Sequence, residues 1–155
     1  LFHLLAFLTG HTIDGKGDPG GLSQLDQLRR VRDERLAASA AGDHYIGLYA
    51  DLQPDLYAAL IADPQFALQL WALKDAWMPA IDNWLDGDAQ VPISNTMQDA
   101  LSQALTRMAA HGSLRLHEAV LRERRALGLD QLQGHPIGVL QSRWEQSPMF
   151  SSGFD

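Results

Sequence analysis

From residue 22 to residue 144, apolar side chains recur every three or four positions. No run of alternating apolar and polar residues is long enough for a strand. A chain with that spacing buries one stripe of each helix against its neighbours, so the expected fold is all-α. The punctuation agrees. Ser23 with Asp26 forms a capping box in which Asp replaces Glu, and Gly42-Asp43 stops that helix and caps the next. Asp63-Pro64 is a cap followed by proline at the first helical position, Ser94 and Ser113 are further N-caps, and Gly112 is a stop. Gly134-His135-Pro136 opens a last, shorter helix. Pro54 and Pro79 fall inside apolar stripes, where a missing N–H predicts a kink or a join between two pieces. The expectation is a compact bundle of six to eight short helices with proline-kinked segments.

Three parts are expected along the chain. Residues 1–21 are an apolar helix and a Gly/Asp loop that continue a part of the protein lying upstream. Residues 22–146 are the helical domain, and residues 147–155 are a tail. The opening LFHLLAFLTG is short and lacks a basic n-region, so it does not read as an intact signal peptide. No apolar run reaches the roughly 18–20 residues that span a bilayer.

Charge narrows the partners. The net charge is −7, with 19 acidic residues against 12 Lys and Arg, which leaves no electrostatic footprint for a nucleic-acid backbone. There is no cysteine, which removes disulfides, thiol catalysis and zinc–sulfur sites.

A search for chemistry finds little. Asp14-Gly15-Lys16-Gly17-Asp18 places two carboxylates in a Gly-rich turn, and Asp14 and Asp18 are the candidate calcium ligands. Lys16 stands at a middle acidic position and Leu25 where a bidentate Glu belongs, so a solvated turn is the leading reading. Six histidines show no three- or four-residue pairing, and there is neither a Gly-x-Ser-x-Gly elbow nor a phosphate loop. No catalytic residues and no cofactor are therefore assigned. Trp71, Trp77 and Trp84 form either core packing or an aromatic groove for glycan or peptide. Four arginines at 29, 30, 32 and 35 are offset by Asp26, Asp33 and Glu34, the pattern of a solvated face.

One stretch carries a resemblance. Leu28, Arg29, Val31, Arg32, Asp33 and Leu36, then Gly42, Tyr45, Ile46, Leu48, Tyr49 and Pro54, follow a pattern of Leu-Arg-x-aliphatic-Arg-Asp, Gly, an aromatic–aliphatic run, Tyr and Pro. The segment resembles a helical domain of bacterial exported proteins associated with the CFI-box C-terminal family. The Cys-Phe-Ile box itself is absent from this cysteine-free chain. The resemblance implies an extracytoplasmic bacterial protein, secreted or on the cell surface, in which this module accompanies other domains or subunits. It supplies no catalytic residues. In physical terms, Arg29, Arg32, Asp33, Gly42, Tyr45, Tyr49 and Pro54 are expected to clasp a helix hairpin. The expected function is a non-catalytic accessory or interaction module. An aromatic-groove binding module and part of a larger secreted hydrolase are the alternatives.

Overall fold

The computed structural model describes residues 30–36 and 40–146. These form a short helical stretch of π geometry, Val31–Leu36, and five α-helices: α1 Ala40–Ala62, α2 Pro64–Leu85, α3 Asn95–His111, α4 Leu114–Ala126 and α5 Val139–Gln146. No strand occurs among the described residues, and the all-α expectation holds. No helix among them is long and apolar enough to cross a membrane.

The helices begin where the caps are. Asp63, in extended backbone, accepts the Gln65 N–H at 3.1 Å ahead of α2. Ser94 accepts from Met97 at 3.2 Å ahead of α3, and Ser113 from Leu116 at 3.2 Å ahead of α4. Each cap satisfies an N–H that the first turn cannot pair internally. Gly112 is demanded by space rather than by backbone angle. A Cβ there would sit 2.6 Å from Leu116 Cδ2 and 2.7 Å from the Met108 carbonyl oxygen. At the far end of α4, Gly128 takes φ +58°, and Arg143 donates to the Leu127 and Gly128 carbonyls at 3.0 and 2.8 Å.

One alternative left open by the sequence is decided, and two expectations are corrected. Pro54 and Pro79 do not divide their helices: α1 runs 23 residues and α2 runs 22. Both prolines are exposed, so water can reach the carbonyls that lose a partner. Leu52, Leu56 and Ala59 lie on one buried face across Pro54, as Trp77, Met78 and Ile81 do across Pro79. Burial of one unbroken stripe outweighs the missing hydrogen bond. Gly42-Asp43 does not precede a helix but lies in the first turn of α1. Gly134-His135-Pro136 does not start a helix either. Ile93 N donates to the His135 carbonyl at 2.8 Å, Gly134 N to Ile93 at 2.9 Å and Ile137 N to Val91 at 2.8 Å. This stretch is a pair of turns held beside residues 89–93 through the isolated Pro92–Pro136 bridge, and α5 starts only at Val139.

Packing runs α2 on α3 and α3 on α4, with α1 lying across α2 to α5. Phe66, Leu70, Leu73, Trp77 and Ile81 of α2 are 0–1% exposed, and Leu101 and Ala104 of α3 are fully buried. Leu132 and Ile137 close the core from the α4–α5 connection.

Candidate functional site

Among the described residues, three arginine–carboxylate sites join helix ends and connections. In the first, Arg107 Nη1 of α3 donates to both oxygens of Asp63, at 3.1 and 2.9 Å, and His111 Nε2 stands 3.7 Å from the same carboxylate. The Arg107 guanidinium holds the Asp63 carboxyl below the usual carboxylate range. The same Asp63 caps α2, so one side chain fixes the α1–α2 corner against α3. In the second, Ser113 Oγ donates to Asp55 at 2.6 Å and Arg115 Nη2 at 2.7 Å, and Arg115 also donates to the Asp51 carbonyl. The Ser113 hydroxyl first, then Arg115, lowers the Asp55 carboxyl. In the third, Arg124 grips Asp130 through Nε and Nη2 at 2.7 and 2.8 Å, while its Nη1 donates to Thr106 at 2.9 Å. Asp130 is lowered by that contact.

Gln98, 6% exposed on α3, links the third site to the loop after α4. Its Nε2 donates to Ser102 at 3.0 Å and to the Leu129 carbonyl at 2.8 Å. Its Oε1 accepts from Leu132 N at 2.7 Å and Gln133 N at 3.2 Å. The Ser102 hydroxyl in turn donates to Asp130 Oδ1 at 3.1 Å. An irregular loop would otherwise bury unpaired backbone groups at this point.

An open depression of about 370 Å³ crosses the outer side of α3, lined by Gln69, Ser102, Gln103, Thr106, Arg107 and His111. Most of its polar groups already have partners: Arg107 on Asp63, Ser102 on Asp130, Thr106 under Arg124. Gln69 Oε1 is buried with no hydrogen-bond partner among the described residues. The arrangement can orient a small polar molecule weakly; its hydroxyls are engaged in holding helices.

Only some of the sequence-derived candidates lie among the described residues. Asp14, Asp18 and Arg29 lie outside the described residues, as do the side chains of Arg32 and Tyr49. Among the described residues no group of three His, Asp or Glu is placed to hold a metal. Asp33 and Pro54 are exposed and Gly42 is buried. Tyr45 lies between Glu123 of α4 and Trp144 of α5, its ring 6.3 Å from that of Trp144. Burial, and then the Glu123 carboxylate, pushes its phenol above the usual range. His44 Nε2 stands 3.4 Å from Glu123 Oε1.

The tryptophans do not form a shared groove. Trp77 is fully buried and its indole N–H donates to the Met97 carbonyl at 2.8 Å. Trp84, 2% exposed, stacks at a tilt 6.4 Å from Trp144. Trp71 is half-buried under Lys74 Nζ, 4.1 Å above its ring. Helical spacing directs Trp77 and Trp84 into the contact with α3 and α5, which removes their faces from any ligand.

Sequence reasoning found Asp63 and Ser113 as caps but not their arginines. The partners lie 44 and 60 residues apart (Asp63–Arg107, Asp55–Arg115), and no local periodicity links them. Gln98 carried no signal at all beyond its place on an apolar face. No protein-family model, no curated protein and no solved structure matches this chain.

Proposed function

We propose that this chain is a non-catalytic helical module of a bacterial exported protein, one that packs against neighbouring domains or subunits. The observation that carries the reading is how its side chains divide. Arg107, Arg115, Arg124 and Arg143 are committed to helix ends and connections, whereas Tyr57, Ile61, Leu68 and Leu114 lie 48–73% exposed. Polar groups that hold the bundle together and large apolar groups turned outward suit a part that binds other protein surfaces. The likeness of residues 28–54 to the exported-protein segment supports the setting.

Photo-crosslinking in intact producing bacteria tests this. A photoreactive residue at Ile61 or Leu114 should give links to one defined protein surface outside the cytoplasm, identified by mass spectrometry. A cytoplasmic location, or adducts with solvent alone at both positions, overturns the proposal.

A further inference from the structure

Where the main chain leaves α2, one aspartate differs from the others. Among the described residues, Asp86 alone is followed by glycine. Asp51, Asp75 and Asp99, by contrast, sit inside helices, where the next N–H is held in the ladder. Asp86 is the C-cap of α2. It is exposed, and its carboxyl makes no hydrogen bond or ion pair among the described residues. Gly87 is exposed too, at φ +103°, with nothing within 4 Å of the place a Cβ would take. The Asp86 carboxyl and the Gly87 nitrogen are therefore unshielded, and the peptide between them can turn without a side-chain clash. Asp88 is an internal control. Its Oδ1 accepts the Gln90 N–H at 3.0 Å, and Ala89, which carries a Cβ, follows it.

We propose that Asp86 is a modification site, where aspartate converts to isoaspartate through a cyclic imide, and that opening of the end of α2 sets the rate. The Gly87 nitrogen forms a bond to Asp86 Cγ, and a carboxyl oxygen leaves as water with the acid and amide protons. Water then adds to one of the two ring carbonyls. Opening at the former side-chain carbonyl restores aspartate. Opening at the main-chain carbonyl leaves Gly87 joined through the side chain, as isoaspartate, with no net change in mass. In the closed turn, ψ 3° at Asp86 puts the Gly87 nitrogen beside the Asp86 nitrogen rather than beside Cβ. Ring closure waits for the turn to open, which breaks the bonds from Gly87 N to Trp84 O at 3.1 Å and from Asp88 N to Asn83 O at 2.9 Å. Helix ends open at the lowest cost in a fold. Repulsion between Asp82 and Asp86, one turn apart, weakens this end further. The product's main chain is one carbon longer. Residues 89–93 are tied to 134–138 by four backbone bonds of 2.8–3.0 Å, so the longer link disturbs that pairing.

The test ages the 155-residue chain in mildly acidic buffer at body temperature and maps isoaspartate by electron-transfer mass spectrometry. Asp86 should hold about tenfold more than Asp88, because only Asp86 precedes a residue without Cβ. A denatured sample should convert at Asp86 roughly tenfold faster than the folded chain, since the turn no longer has to open. Asp86→Glu keeps the charge and should remove the signal, because closure would need a larger ring. Hydrogen exchange on the converted chain should show lost protection at residues 87–93 and 134–138, with Leu73 and Trp77 unchanged. Equal isoaspartate at Asp86 and Asp88, equal rates in the folded and denatured chain, or unchanged protection after conversion would each overturn the proposal. None of these outcomes bears on the module reading, which the crosslinking tests separately.

Discussion

The loop after α4 and the carboxyl end of α2 solve the same problem differently. Both place polar groups under the bundle's surface. Around residues 127–133, the Gln98 amide makes four hydrogen bonds and Arg143 takes three carbonyls. At the end of α2, Asp82 Oδ1 is buried with no hydrogen-bond partner among the described residues, and burial, with Asp86 nearby, raises its carboxyl above the usual range. The first region fixes an irregular backbone by satisfying it. The second tolerates an imperfect group because the apolar stripe of α2 already fixes the helix. The lesson is that polar satisfaction is densest where apolar periodicity gives no instruction.

The most damaging single change tests the apolar side. Trp77→Ala should cost about 3–5 kcal/mol, through the cavity and the lost bond to Met97, and is read by denaturant melts. If the α2 stripe only supplements the polar sites, the loss will be well below that. Next is Gln98→Met, which keeps the volume but strands the Leu132 N–H and the Leu129 carbonyl. It should cost about 2–3 kcal/mol. Hydrogen exchange should show lost protection at Leu132 and Gln133 and none at Leu73 or Trp77. Uniform loss would mean that the two regions are one cooperative unit.

These two residues also mark what could be read from the chain and what could not. Trp77 sits on a stripe that spacing alone places inward, and the helices around it were legible from their caps and apolar faces. The continuity of α1 and α2 was not, because proline's local rule is overridden by burial on both sides of it. Gln98 and Arg107 were illegible for a different reason: their partners are set by which helices meet. That depends on packing across tens of residues, and a single polar letter in a helix carries no record of it.

Acid should separate the three arginine sites from the hydrophobic interior. Asp55, Asp63 and Asp130 are all lowered in the folded chain. A carboxyl whose folded value lies below its unfolded one contributes stability above about pH 4, and loses it as pH falls through the folded value. The melting temperature should therefore drop steeply between about pH 4 and pH 2. Replacing Arg107 and Arg124 by Gln should lower stability at pH 7 and flatten that drop. An unchanged slope would mean that the arginines do not set these carboxyls.

Asp82 should behave in the opposite sense and by the smallest amount. Its folded value is raised, so the protonated acid is the form that the fold prefers. Relative to the unfolded chain, it contributes most below about pH 4, and that contribution is lost as pH rises through the folded value. Asp82→Asn removes the charge and keeps the shape. It should stabilise the protein by about 0.5 kcal/mol at pH 7 and leave it unchanged near pH 3. The comparable change in the satisfied region, Asp130→Asn, should destabilise at pH 7, because it weakens the grip of Arg124 while the charge of Arg124 remains. Opposite signs for two surface aspartates, at the same pH and with the same substitution, would follow from their partners alone. If both destabilise, the buried oxygen of Asp82 is satisfied in solution, most simply by water, and the two regions are alike after all.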